Sequence, residues 1–236
     1  HVNQSLAMGS TASTTNRAPS VSFTAGQNIR INAALSVSPS SINTPTNSII
    51  ICPSIAMVAG GTIYVASTGS VSTAGGANIS TNAAGFGGAG GALSMQAAGL
   101  SIAGNVSAAG GTSTYGPVNA GAGGNVTLQN TSLNFVDNDG QTGGIISGAT
   151  LIKNGAGILQ LMGSNTFTGA SNINAGMIIL GASESLPNTS AMTIASGATF
   201  DMAGWSETIA GLSGAGTIRS SISGTSLLTF GSNNAN

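Results

Sequence analysis

The sequence predicts an all-β chain, a parallel β-solenoid with about 18–33 residues per repeat unit. Three observations carry that prediction. Residues 150–180, TLIKNGAGILQLMGSNTFTGASNINAGMIIL, hold three short apolar runs separated by Gly, Asn, Ser and Thr clusters: Leu151-Ile152, Ile158-Leu159-Gln160-Leu161 and Met177-Ile178-Ile179-Leu180. The second and third runs begin 19 positions apart, roughly one turn of a β-solenoid. No window places apolar residues at i, i+3, i+4 and i+7, so helices are expected to be rare.

Composition supports the same architecture. Charged residues make up 4% of the 236, against about 25% in ordinary soluble domains. There are 37 glycines, aromatics reach only 4%, and a core built on Phe, Trp and Tyr is excluded. Stacked Ile, Val, Leu, Met and Ala remain available. Disorder normally requires low hydrophobicity with high net charge, whereas here the net charge is −1 and mean hydropathy is positive. Such a chain either forms β-structure or aggregates. Nucleic acid is not an expected partner, because a binder neutralises roughly 6–10 phosphates and only Arg17, Arg30, Lys153 and Arg219 are present, each alone in its segment.

Three segments follow one another. Residues 1–20 are a polar, low-complexity lead-in or cap, residues 21–133 read as Gly-rich coils, and residues 134–236 read as repeat coils continuing the same solenoid. In the middle segment paired glycines precede short strands, as in Gly60-Gly61-Thr62-Ile63-Tyr64-Val65, Gly90-Gly91-Ala92-Leu93-Ser94-Met95 and Gly123-Gly124-Asn125-Val126-Thr127-Leu128. Apolar residues alternate with small or polar ones there, as period-2 geometry requires. A longer echo links Thr131-Ser132-Leu133-Asn134-Phe135 with Ser226-Leu227-Leu228-Thr229-Phe230, its phenylalanines 95 positions apart. At roughly 20 residues per coil the chain is expected to make about 11–12 coils, a rod about 50–55 Å long.

The start, HVNQSLAMGS, has neither an initiator Met nor a basic leader region, and the end at Asn236 falls where another copy of the long repeat would begin. The start reads as processed, truncated or engineered, and the end as a cut inside a repeat array. Ser48 to Ala66 is uncharged and nearly long enough to cross a membrane. Pro53, Gly60-Gly61 and the lack of flanking cations favour two or three buried strands instead. Cys52, the single cysteine, ends the apolar run Ile49-Ile50-Ile51 and reads as a small core residue.

No catalytic, cofactor-binding or metal-binding residue is assigned, and no cofactor is expected. His1, the single histidine, is terminal, which leaves a Ser-His-Asp arrangement without its base. Gly204-Trp205-Ser206-Glu207-Thr208 begins like a nucleophile elbow but has Thr in place of the second Gly. Gly85-Phe86-Gly87-Gly88-Ala89-Gly90 fits G-x-G-x-x-G, yet no helix follows and the next acid is Asp137, so a coil corner is expected. Asp137-Asn138-Asp139-Gly140 is the best calcium candidate; a solvated turn is the expectation, because Phe135 and Ile146 occupy liganding positions of the EF-hand pattern. Glu184, Asp201 and Glu207 stand isolated in sequence, without an evident Arg or Lys grouping. Tyr64, Tyr115 and Trp205 are too far apart in sequence for a sugar platform and read as packing residues.

Residues 148–236 also resemble repeats in the passenger regions of bacterial autotransporters, which are type V secreted surface proteins. The likeness rests on Leu151 to Leu161 (LIKNGAGILQL), Gly163-Ser164-Asn165-Thr166-Phe167-Thr168-Gly169 and Asn174-Ala175-Gly176-Met177-Ile178. Gly197-Ala198-Thr199-Phe200-Asp201 and Gly211 to Ile218 (GLSGAGTI) extend it. Residues 60–130 are similar, more weakly, to Gly-rich coils of haemagglutinin-like exoproteins. The resemblance implies a right-handed parallel β-helix, passage through the outer membrane, and display on or release from the cell surface. A complete family member also has a signal peptide and a C-terminal β-barrel, neither of which is legible in these residues. The functional expectation is a non-enzymatic extracellular stalk or fibre of an adhesin. Its expected partners are further copies of itself, stacked end to end or laterally, and host or abiotic surfaces, with no membrane span in this segment. One alternative is a self-assembling filament subunit; another is a carbohydrate-active β-helix using Asp137 and Asp139.

Overall fold

A computed structural model describes residues 6–7 (backbone), 20–37, 53–75, 88–113, 122–131 and 144–231. Among the described residues there are 22 strands and no helix, and every strand pairing is parallel. The longest sheet has eight strands: Val21–Ala25, Ile55–Ala59, Leu93–Ala97, Val126–Asn130, Leu151–Asn154, Ser171–Ile173, Ala191–Ile194 and Gly211–Gly214. They stack in chain order, so each pass of the chain lies on the one before it. Seven spacings of about 4.8 Å give this sheet a length of about 34 Å.

The in-register pairing turns sequence alternation into columns. One column runs Val21, Ile55, Leu93, Val126, Leu151, Ser171, Met192, Leu212. Two residues along, the next runs Phe23, Met57, Met95, Leu128, Lys153, Ile173, Ile194, Gly214. Burial alternates accordingly, with Ile55, Met57 and Ala59 inside while Ala56 and Val58 face outward. Each fully buried Leu, Ile or Met contributes roughly 1.5–3 kcal/mol, and all of them join one continuous core.

The remaining described strands form two further faces. The second carries Ile29–Ile31, Thr62–Val65 and Gly99–Ile102, and later a separate sheet of Ile158–Leu161, Met177–Leu180, Thr199–Asp201 and Thr217–Arg219. The expected pairing of the runs at 158 and 177 is present, with Ile158 opposite Met177 and Leu161 opposite Leu180. The third face carries Leu6–Ala7, Ala34–Ser36, Ser70–Ser72, Asn105–Ser107 and Ile146–Ser147. Its later part is a single pair, Glu207–Thr208 with Leu228–Thr229.

Pass length differs from expectation. Val21 to Ile55, Ile55 to Leu93 and Leu93 to Val126 are passes of 34, 38 and 33 residues. Leu151 to Ser171, and Ala191 to Gly211, are passes of 20. Among the described residues the longest sheet counts eight passes, against the expected 11–12 coils. Each of these early passes carries a third-face strand of three residues, Ala34–Ser36, Ser70–Ser72 or Asn105–Ser107. Of the candidate membrane stretch, Ile55–Ala59 and Thr62–Val65 are strands. No helix among the described residues is long and apolar enough to cross a membrane.

Glycine makes the corners, in two ways. Gly155, Gly176 and Gly197 lie at the corner between first and second faces, each with φ near +75° (74°, 71° and 81°), a region costly for residues bearing a Cβ. Gly104 lacks that constraint and is required by contact instead: a Cβ there would run into the carbonyl oxygens of Gly69 and Ala66. Gly104→Val is expected to cost about 1–3 kcal/mol through forced backbone displacement. Gly211→Ala, at a site with open space, is expected to change stability by less than about 0.5 kcal/mol. Urea unfolding of the two variants checks the contrast.

Candidate functional site

The outward residues of the long sheet form the most extensive regular surface. Ser94, Thr127, Ile152, Asn172, Thr193 and Ser213 make one outward column, in which the Thr193 and Ser213 hydroxyls lie 3.0 Å apart. Beside it Gln96, Gln129 and Asn154 align, and the Asn174 amide donates to Asn154 Oδ1 at 3.0 Å. Neither column contains a charge. Side chains repeating at the strand spacing can exchange amide and hydroxyl hydrogen bonds up the stack, as in cross-β assemblies.

Charged groups lie elsewhere. Arg30 sits on the outer side of the second face with its guanidinium 4.6 Å from the Tyr64 ring centroid, so Tyr64 packs against a cation, a role beyond the packing expected of it. Trp205 is exposed. Asp201, isolated in sequence, is fully buried and paired: Arg219 Nε donates to its Oδ2 at 2.8 Å. The Ala203 and Ser221 amides donate to its Oδ1 at 3.0 and 2.9 Å. Burial pushes the Asp201 carboxyl up, but these donors together outweigh it and hold the group below the ordinary carboxylate range. The expectation that the acids lack an Arg or Lys partner is thus corrected. The second-face register stacks Arg219 directly on Asp201 one pass later, a proximity that sequence separation conceals.

Glu184 and Glu207 are also brought together, at one corner. Glu207 is buried, and its carboxylate accepts the Ser185 amide at 2.9 Å and the Leu186 amide at 3.3 Å. Burial, opposed by those amides and reinforced by the charge of Glu184, raises Glu207 to about 7. The Thr208 hydroxyl donates to Glu184 Oε1 at 3.1 Å. Within the nucleophile-elbow-like stretch, Ser206 Oγ accepts the Leu227 amide at 3.1 Å, which gives that serine a structural partner. No group of three or more His, Cys, Asp or Glu residues able to hold a metal occurs among the described residues. His1, Cys52, Gly85 to Gly87, Tyr115, Asp137 and Asp139 lie outside the described residues.

Lys153 occupies a core column between Leu128 and Ile173 and is fully buried. Its ammonium donates to the carbonyls of Asn154, Gly155 and Ala175 at 2.7, 2.8 and 3.3 Å. Three donors meet three acceptors, so the charge closes the corner that Gly155 turns. Burial lowers the Lys153 amine to about 8. A signal for this placement exists in the sequence, because Leu151-Ile152-Lys153 alternates in register with inward Leu151.

Two expectations follow. Asp201→Ala should cost about 2–3 kcal/mol by stranding the buried Ala203 amide and removing the acceptor of the Ser221 amide and Arg219. Arg219→Ala should cost less, about 1 kcal/mol, because its loss opens Asp201 to water; chemical denaturation at pH 7 measures both. Lys153 has a folded-state value below its unfolded one, so its unfavourable contribution is complete below about pH 8 and relieved as pH rises toward the unfolded lysine value. The melting temperature should therefore climb through that window, and Lys153→Met should remove the climb.

The chain matches no curated protein and no solved structure. Residues 151–180 match the family model of the passenger-associated-transport-repeat. That stretch comprises the strands Leu151–Asn154, Ile158–Leu161, Ser171–Ile173 and Met177–Leu180, and it identifies an autotransporter passenger repeat region within the chain.

Proposed function

We propose that this chain is a non-catalytic, extracellular segment of a bacterial surface protein, folded as a right-handed parallel β-helix and acting as the stalk or fibre of an adhesin. The observation that carries the reading is the coincidence of the family match at residues 151–180 with the first of the regular 20-residue parallel passes. Passenger repeats belong to proteins carried to the cell surface or beyond. Right-handedness follows from the strong preference of parallel β crossovers for that hand. A stalk needs length and stiffness rather than a pocket, and stacked backbone pairing supplies both. The uncharged hydroxyl and amide columns offer a long face to surfaces without long-range charge selection.

Self-assembly into a filament is the second reading, favoured by the parallel pairing that repeats from pass to pass along the described residues.

The surface reading is tested on cells of the source organism with antibodies raised against residues 151–231. Labelling of intact cells or of the culture medium is expected. Signal that appears only after permeabilisation would reject the assignment.

A further inference from the structure

The third face changes its chemistry along the stack. From Ala34–Ser36 to Ile146–Ser147 it is a strand ladder of main-chain bonds between passes, as Val106 N makes with Ile145 O at 2.9 Å, with the exposed Asn105 Oδ1 accepting the Ile145 amide at 3.0 Å. Beyond Ile146 main-chain bonds continue, as from Asn165 N to Ser185 O at 3.3 Å and from Glu184 N to Ser206 O at 3.1 Å, and buried side chains join them as acceptors. Asn165 Oδ1 accepts the Ile146 amide at 2.8 Å, and Asn165 Nδ2 donates to Ser185 O at 2.7 Å. One pass later Glu207 Oε2 accepts the Ser185 amide at 2.9 Å, and the Glu207 amide donates to Leu227 O at 2.9 Å. Asn165, Ser185 and Glu207 are all buried.

The column therefore performs one task twice, once with a neutral amide and once with an ionisable acid. Asn165 demonstrates that a side-chain carbonyl suffices to receive a main-chain amide at this corner. The ionisable group at Glu207 adds a sensitivity that the pairing itself does not require. We propose that Glu207 is a pH-sensitive latch: its carboxyl fastens the 182–186 segment to the final passes when protonated and loosens that attachment when ionised.

The surroundings set the direction. The ionised oxygen is the stronger acceptor, but it is buried, and the Ser185, Leu186 and Thr208 backbone bonds to it do not offset that burial. The charged group facing it is Glu184, on the segment being held, which opposes a second negative charge. The Leu227-Leu228 strand above and the Leu161 and Asn165 residues of the pass below contribute no titratable group. A carboxyl raised from its ordinary value of 4.5 to about 7 binds its proton more tightly in the folded chain than in the open one. Its stabilising effect is complete below the unfolded value, declines as pH rises, and is gone above about 7.

The test is hydrogen exchange at the Ser185 and Leu186 amides in the full chain between pH 4.5 and 8, corrected for intrinsic exchange rates. The opening constant is expected to rise on the order of a hundredfold across that range and to level off near neutrality. Glu207→Gln, which copies the chemistry of Asn165, should make protection independent of pH. Glu184→Gln should move the levelling point to lower pH. Protection that does not vary with pH in the unaltered chain would overturn the latch, as would an unchanged pH dependence in Glu207→Gln. Should Glu207→Gln fail to fold, an unchanged levelling point in Glu184→Gln overturns it equally.

Discussion

In-register parallel pairing of the backbone is the constraint on which the other features depend. Once each pass hydrogen-bonds to the next at strand spacing, a residue is stacked on its counterpart one pass away. Columns of Leu, Val, Ile and Met then form without any need for long-range shape matching. The same rule places Arg219 on Asp201 and Asn174 beside Asn154. It also makes substitutions unforgiving, because a misplaced group has a fixed neighbour above and below.

Low charge is a consequence of that geometry. A charge repeated up a column would repel itself at roughly 5 Å, and a buried charge needs partners. The described charges respect both conditions. Lys153 enters the core once and meets three carbonyls, and Asp201 is met by one cation and two amides. Glu207 is met by amides alone, which is why it is the least settled ionic group in the stack. Small residues serve the corners, where main chains of adjacent passes approach more closely than a Cβ permits.

The shift from long to short passes organises the molecule. Early passes devote a full strand to each of three faces, whereas passes after Leu151 are shorter and hold the third face with isolated main-chain bonds, buried side-chain acceptors and one short strand pair. The family match begins at this change, so the recognisable repeat coincides with the economical 20-residue pass. Around that pass the long sheet presents uncharged outward columns of hydroxyl and amide side chains.

The sequence alone determined strand identity, the absence of helical periodicity, the 19-residue offset between Ile158 and Met177, and the likeness to passenger repeats. Each of these is a local property: alternation, glycine spacing and short motifs are written within a few residues. The position of Lys153 was legible too, had its alternation with Leu151 been followed inward. What only the tertiary structure decided was the number of passes, because apolar runs do not state how much chain is spent between them. It also decided the Asp201–Arg219 pair and the Asn165–Ser185–Glu207 column. Those contacts join residues about 20 positions apart, and their distance is set by where each corner turns rather than by the identity of the residues that meet.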